Sequence, residues 1–261
     1  TRGWEEIDIV LVSGDAYVDH PSFGIALIGR LLEAKGYRVA ILPQPRYDQE
    51  TDFRRFGRPR LFFGISSGNL DSIVANYSSN GKVRDLDAYS PGGSPWRTEI
   101  REKTNRYRPD RSVLVYANLA RRAFPETPIL LGGIESSLRR FVHFDYKQNR
   151  LRGSHLSDAK ADLLVYGMAE RAIVQAAQLL SGGHPLEGMA GTCVRLSEAE
   201  MVAFDLECTE KSQILVRLPG WDEIQADSRR FMQAERIIDR YARSRADRVL
   251  VQKQQSAWIV Q

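Results

Sequence analysis

Five short runs of branched aliphatic and aromatic residues limit what this chain can fold into. The first, IDIVLV at residues 7–12, is apolar at nearly every position, which is typical of a strand covered on both faces of a parallel sheet. The other runs are residues 38–42, 61–66, 128–131 and 162–166. Because helical patterns separate the runs, we predict a doubly wound α/β fold with a parallel sheet, and a flavodoxin-like strand order is compatible with five strands.

Helices are predicted after the first strand and over residues 113–124 and 170–180, where apolar residues recur at steps of three and four. For the first helix, Asp19 or His20 is expected to cap the start, and Pro21 is expected to be the first helical residue. These helices are the crossovers that a parallel sheet requires.

The pattern changes after Gly183. The predicted elements beyond it are a short strand, a long charged helix and the two strands of a hairpin, at residues 192–196, 221–245, 249–252 and 258–260. We therefore predict a doubly wound α/β domain at residues 1–185 and a C-terminal helical and hairpin extension at residues 186–261. Residues 76–110 have little periodicity and are expected to form a long loop or an excursion from the sheet.

Cysteine content and hydropathy exclude several classes of protein. The 261 residues include only 2 cysteines, Cys193 and Cys208, with no CxxC or CxxxC pair, so they cannot form a disulfide scaffold or by themselves hold zinc or an iron–sulfur cluster. No run approaches the roughly 18 apolar residues that cross a bilayer, and the start TRGWEEIDIV lacks a signal-peptide pattern. We expect a cytoplasmic protein with no membrane partner.

The charge is nearly balanced, with 37 Lys and Arg residues against 33 Asp and Glu residues for a net charge of +4. Arginines gather at residues 54–60, 101–111, 139–140 and 229–248. No RNP, KH or zinc-finger signature accompanies them, so solvated helix faces are favoured over a nucleic-acid patch. Nucleic-acid binding stays open as a weaker hypothesis.

The loops that follow the strands are the candidate sites, because ligands of open parallel sheets bind beyond the carboxyl ends of the strands. The candidates after the first and third strands are Asp15, Asp19, His20, Ser66, Ser67 and Asn69. Two carboxylates and an imidazole suit acid–base chemistry or ligand contact, and also helix capping. The hydroxyl and amide groups suit a phosphate or a sugar, and also a plain turn.

The loop after the fourth strand has the densest set of polar and aromatic groups. Its candidates are Gly132, Gly133, Glu135, Arg139, Arg140, His143, Asp145 and Tyr146. Helix capping does not account for so many polar groups, so binding is favoured here, with the two arginines as clamps for an anion or a carboxylate.

Several common motifs are absent. The chain has no GxGxxG after the first strand, no GxxxxGK[ST] and no HExxH, so a dinucleotide fingerprint, a P-loop and a zincin site are not predicted. A GxSxG string does occur at residues 64–68. It is short and common, and the residues after it do not form an uninterrupted helical pattern, so a serine hydrolase is not favoured.

Four long strings lie at the candidate loops: GDAYVDHPSFG (14–24), LFFGISSGNLDS (61–72), LGGIESSLRRFVHFDY (131–146) and KADLLVYGMAER (160–171). They resemble the amino-terminal domain of YgiQ-like radical SAM proteins, and the similarity extends over nearly the whole chain. The resemblance implies a Rossmann-like domain akin to the cobalamin-binding domains of other radical SAM enzymes. It also implies a barrel, later in the same polypeptide, that binds a [4Fe–4S] cluster and S-adenosylmethionine.

Two departures limit what the resemblance implies for this chain. The cluster of such enzymes needs a CxxxCxxC loop, which is missing, so no catalytic residue is assigned here. Cobalamin domains that ligate cobalt carry DxHxxG, whereas Val18 and Phe23 stand at the Asp and Gly positions around His20. Neither bound cobalamin nor any other cofactor is therefore expected in this chain.

The main hypothesis is an accessory domain of a radical SAM enzyme, whose loop residues contact the barrel or an unassigned small-molecule or macromolecular substrate. The alternative is a stand-alone module that binds a nucleotide-like or corrinoid ligand without catalysis. Whether the chain itself takes part in catalysis stays open.

Overall fold

The computed structural model describes residues 3–18, 23–98, 105–242 and 248–261. The strands are β1 (Ile9–Ser13), β2 (Val39–Pro43), β3 (Phe62–Ser66), β4 (Ile129–Gly132), β5 (His143–Asp145), β6 (Arg150–Arg152), β7 (Leu163–Val165), β8 (Thr192–Ser197), β9 (Ile214–Arg217), β10 (Arg248–Gln254) and β11 (Ala257–Val260). The helices are α1 (Gly24–Ala34), α2 (Ser72–Asn76), α3 (Ser112–Ala123), α4 (Gly133–Leu138), α5 (His155–Asp158), α6 (Glu170–Ser181), α7 (Glu198–Glu210), α8 (Trp221–Ala226) and α9 (Ser228–Ala242).

The described strands form one nine-stranded sheet in the order β2-β1-β3-β4-β7-β8-β11-β10-β9, and β5 and β6 form a separate hairpin. The first five strands of this order are parallel. In chain order their arrangement is 2-1-3-4-5, which is the flavodoxin-like arrangement. The predicted α/β fold with a parallel sheet is therefore confirmed.

Strand β1 is buried at all five positions because helices cover both faces of the sheet. Val10 and Val12 pack in the core on the side of α3, whereas Ile9 and Leu11 pack on the side of α1 and α6. The near-continuous apolar run in the sequence reflects this double coverage.

The carboxyl ends of β1, β3, β4 and β7 lie at one edge of the sheet, which we call the carboxyl edge. The strand order reverses between β1 and β3, since β2 lies on the other side of β1. At such a switch point the loops after the two neighbouring strands run in opposite directions, so a crevice forms between them. Ligands of doubly wound proteins bind in this crevice.

The strands after residue 185 continue the same sheet. Strand β8 pairs antiparallel with β7, β11 pairs antiparallel with β8, and β9 joins β10 as a parallel edge strand. The predicted boundary near residue 185 stays a prediction, because a shared sheet does not by itself decide whether the two parts fold separately.

Three local predictions need correction. The predicted helix at 221–245 is two helices, because Asp227 is extended and its carboxylate accepts a hydrogen bond from the backbone N–H of Arg229. Helix α1 begins at Gly24, later than predicted, and has no side-chain cap; Asp19, His20 and Pro21 lie outside the described residues. Helix α7 and strand β9 were not predicted.

The described helices include none that combines the length and the apolar composition of a membrane span.

Candidate functional site at the carboxyl edge

A pocket of about 340 Å³ opens at the carboxyl edge between the sheet and helices α1 and α6. Small-molecule sites occupy roughly 300–1,000 Å³, so the pocket has the volume of a small ligand. Its floor comes from β1, β3, β4 and β7, and most of its lining is apolar. Six glycines line it: Gly24, Gly64, Gly68, Gly132, Gly133 and Gly167.

Four residues predicted as site residues meet at this pocket: Ser66, Asn69, Gly132 and Gly133. They come from the loops after β3 and β4. The Ser66 hydroxyl oxygen accepts a hydrogen bond from the backbone N–H of Gly68 at 3.1 Å. Gly133 has a positive φ of 78°, and a side chain there would overlap the Ser66 hydroxyl group. The two predicted loops therefore depend on each other for their conformation.

Asp15 lies beside the pocket and is buried in an ion pair. Its carboxylate accepts hydrogen bonds from the backbone N–H of Asn69 at 2.6 Å and from the Arg108 guanidinium at 2.5 Å. Arg108 also donates to Asp87 at 2.8 Å. Burial raises the pKa of Asp15, and the charge of Arg108 opposes that rise. Asp15 therefore fixes the loop after β3 and the segment around Arg108.

Ser67, also predicted as a site residue, has a local role in the loop. Its side chain is buried, and its hydroxyl group donates to the backbone oxygen of Leu70 at 2.8 Å. The backbone oxygen of Ser67 lies so close to Gly14 that a side chain at residue 14 would overlap it. The loops after β1 and β3 thus contact each other directly.

Glu135 is buried and joins two helix starts. One carboxylate oxygen accepts from the backbone N–H of Ser72 at 2.7 Å, and the other accepts from that of Val113 at 3.2 Å. These N–H groups belong to the first turns of α2 and α3. N–H groups in a first turn have no acceptor within their own helix. Burial, with the nearby charge of Asp71, raises the pKa of Glu135.

The two arginines that we predicted to clamp an anion already have partners. Arg139 forms an ion pair with Asp71, which also caps α2. Arg140 donates from Nε to the side-chain oxygen of Gln261 at 2.6 Å, and its guanidinium lies 5.1 Å from the centre of the Tyr166 ring. Both side chains therefore hold the loop after β4 in place, and their contact with a ligand stays a prediction.

Asp145, His143 and Tyr146 lie on and after β5. The Asp145 carboxylate accepts from Arg111 Nε at 2.6 Å. The ring of His143 stands edge-on to that of His155, with their centres 5.5 Å apart. Burial, followed by the charge of Arg139, lowers the pKa of His143 to about 4. Tyr146 is 59% exposed and does not line the pocket.

The partners in these networks that could not be predicted from the sequence are Arg108, Arg111, Asp71 and Asp87. Arg108 lies in the predicted excursion at residues 76–110, and Arg111 directly follows it. Their basic cluster was interpreted as a solvated surface, and an isolated Asp or Arg in a loop gives no periodic signal of burial. The described part of the excursion instead reaches back to the strand ends through Arg108.

The residues of this chain do not fit an iron–sulfur cluster. Cys193 lies on β8 and Cys208 on α7, and both thiols are buried. Burial raises the pKa of Cys193 to about 12, which disfavours the thiolate that a metal requires. Within the described ranges, no three His, Cys, Asp or Glu side chains form a group that could hold a metal. His20 lies outside those ranges.

The strand order defines a doubly wound α/β domain of the flavodoxin-like class, with a pocket at its carboxyl edge. Its sequence matches the family model described as Radical SAM N-terminal over residues 1–261. The chain belongs to the radical SAM N-terminal family.

Relatives called UPF0313 proteins share much of the sequence. That of Thermotoga neapolitana is 44% identical over 259 residues, covering 99% of this chain and 42% of the relative. That of Rhodopseudomonas palustris is 43% identical over 264 residues, covering 96% of this chain and 38% of the relative. The chain therefore spans about two-fifths of these relatives, and it matches their N-terminal part.

Among solved structures, the chain is similar to the radical S-adenosylmethionine methyltransferase TsrM from Kitasatospora setae, with tryptophan substrate and a SAM analogue bound. The TM-score is 0.47 at 16% identity, covering 71% of this chain and 28% of the methyltransferase.

Proposed function

We propose that this domain belongs to a radical SAM enzyme and that its carboxyl edge faces the remaining part of the same polypeptide. In that arrangement a barrel beyond residue 261 holds a [4Fe–4S] cluster and S-adenosylmethionine. The domain contributes contacts to the barrel or the substrate. The observation that carries the proposal is the position of Gln261 at the carboxyl edge.

Strand register places Gln261 there. Strands β7 and β11 both run antiparallel to β8, so they are parallel to each other. Val260 pairs with Val194, and Leu164 pairs with the preceding residue, Cys193. Gln261 is therefore level with Leu164, close to the carboxyl end of β7. A polypeptide that continues from Gln261, as those of the relatives do, begins at the same edge of the sheet as the pocket.

Exposed apolar side chains at this edge support the same arrangement. Met168, directly after β7, is 88% exposed, and Leu138, at the end of α4, is 62% exposed. The backbone N–H of Gly167 donates to the Ser137 hydroxyl group at 3.1 Å, which brings the two segments together. Tyr17, Leu27 and Ile134 are also exposed after β1 and β4. Apolar residues grouped in this way mark surfaces that another part of a protein covers.

Hydrogen–deuterium exchange tests the arrangement. We expect the amides of residues 134–138 and 167–169 to exchange more slowly in the full-length protein than in the 261-residue chain, because the barrel covers them. Exchange in α7 should be the same in both. Equal exchange at the carboxyl edge would show that this edge does not face the barrel.

Charged variants supply the matched control. Leu138→Glu with Met168→Glu should remove the added protection, whereas Val202→Glu with Leu206→Glu, at exposed apolar positions of α7, should leave it unchanged.

The enzyme class is tested separately: anaerobically purified full-length protein should hold about four iron atoms as one cluster and cleave S-adenosylmethionine. A full-length protein without iron would contradict the radical SAM assignment.

A further inference from the structure

We propose that the carboxyl-edge pocket binds an aromatic ligand of the nucleoside type that carries no negative charge. The ring would occupy the apolar slot between the sheet and helices α1 and α6, and a hydroxyl or amino donor would reach Glu170. The inference deepens the proposed function and rests on it only in treating this pocket as the place where the domain contacts a substrate.

The shape of the pocket favours a ring. Leu11 and Val165 lie on its floor, and Ile28 and Ile173 approach from α1 and α6. A space between a sheet and two helices is a slot with apolar walls, and aromatic rings bury a large apolar area in such a slot at little conformational cost.

Two glycines keep the slot open without serving the backbone. Gly132 is extended, with φ −155° and ψ −173°, a conformation that any residue can adopt. A Cβ atom on it would meet only a backbone oxygen of Val165, at 3.9 Å, and one on Gly24 would meet nothing within 4 Å. Neither turn geometry nor packing requires these glycines. Close approach of a ligand to the backbone does explain them.

A donor without a partner points to a ligand acceptor. The side-chain nitrogen of Asn69 is buried, and among the described residues it has no hydrogen-bond partner. A buried polar group left unpaired costs free energy. Because Asn69 lines the pocket, a rotation of its side chain would bring this nitrogen to a ring nitrogen or carbonyl oxygen of a bound ligand.

The charge at the pocket selects against anions. Glu170 is the one charged side chain among the described residues that line it, and no described Lys or Arg does so. The carboxylate stands in the first turn of α6, where the helix dipole favours a negative charge. A phosphate would face this carboxylate, whereas a ribose hydroxyl or a ring amino group would donate a hydrogen bond to it.

Calorimetry with adenosine, guanosine, cytidine and uridine, and with AMP, tests the proposal on both the 261-residue chain and the full-length protein. We expect at least one nucleoside to bind saturably. Adenosine should bind at least about tenfold more tightly than AMP. Glu170→Gln should weaken nucleoside binding by about tenfold, because it removes a charged acceptor, and should narrow the gap to AMP. Glu198→Gln, at the first position of α7, is the matched control and should change neither affinity.

Filling the slot provides a second test. Gly132→Val and Gly24→Leu should abolish nucleoside binding without lowering the unfolding midpoint, whereas Ala199→Val, on exposed α7, should leave binding intact. Absence of binding by all four nucleosides at millimolar concentration, or AMP binding as tightly as adenosine, would overturn the inference. If either result were found together with slower exchange at residues 134–138 and 167–169 in the full-length protein, the ligand proposal would fail and the proposed function would stand. The two proposals can therefore fail separately.

Discussion

The two sides of the carboxyl edge use the same loops in opposite ways. On the side of α2 and α3, carboxylates and guanidinium groups are buried in pairs, as in Asp15 with Arg108 and Asp71 with Arg139. On the side of α1 and α6, the loops present glycine backbone and apolar side chains around an open pocket. The first side therefore fixes the loop conformations, and the second side leaves a pocket open.

This difference changes how charged loop residues are interpreted. A carboxylate after a parallel strand suggests acid–base chemistry in a sequence, but here Asp15 and Glu135 satisfy backbone N–H groups and a buried arginine. Satisfied groups of this kind hold a loop in one conformation. The features that point to a ligand are less conspicuous: two glycines without a backbone role, and the side-chain nitrogen of Asn69, which has no partner among the described residues.

Breaking the paired side should have the largest effect. Arg108→Met leaves Asp15 and Asp87 buried without their counter-charge, so we expect the free energy of unfolding to fall by about 3–5 kcal/mol in urea titrations. Arg122→Met is the control, because Arg122 pairs with Glu50 on the surface and should contribute less than about 1 kcal/mol. Equal losses in the two variants would show that burial of the Arg108 network contributes little stability.

Acid should weaken the paired side next. The pKa of His143 is lowered from 6.5 to about 4 in the folded protein, so below pH 6.5 the unfolded chain binds the proton first. The contribution of His143 is therefore complete above pH 6.5 and is lost as the pH falls toward 4, by about 2–3 kcal/mol at pH 4.5. Burial lowers the pKa of His155 too, and adds to the loss.

The measurement is the difference between the free energies of unfolding at pH 7.0 and pH 4.5. His143→Gln should reduce that difference relative to the unchanged protein, whereas His184→Gln, at an exposed position after α6, should preserve it. An unchanged difference in His143→Gln would mean that His143 is protonated as readily in the folded protein as in the unfolded chain.

The parallel half of the fold could be predicted because burial on both faces leaves a continuous apolar run. Each of the five predicted strands overlaps an observed one, namely β1, β2, β3, β4 and β7. Helix α7 was missed because Val202 and Leu206 are exposed while Met201 and Cys208 are buried, so apolar residues occur around the whole helix and give no stripe. Strand β9 is a short, partly exposed edge strand, which leaves an equally weak pattern.

The candidate site could be predicted as a location but not as a set of contacts. Strand ends placed Ser66, Asn69, Gly132 and Gly133 at one edge, where the pocket lies. The buried partners of the charged residues come from the excursion. Nothing in the local sequence specifies that Arg108 pairs with Asp15, which lies 93 positions earlier in the chain. Pairing at that separation follows from tertiary packing alone.

The smallest effect sharpens the comparison on the open side. Gly24 is exposed, is the first residue of α1 and has room for a Cβ atom. Gly24→Ala should therefore raise the free energy of unfolding by about 0.5 kcal/mol, because alanine loses less backbone entropy than glycine in a helix. Gly68→Ala is the contrast, since its φ is +102° and its Cβ atom would overlap the Asp15 carboxylate; it should cost about 2 kcal/mol or more. Thermal unfolding of both variants measures these shifts. If Gly24→Ala were as destabilising as Gly68→Ala, Gly24 would serve the fold, and its place at the pocket would no longer support a ligand.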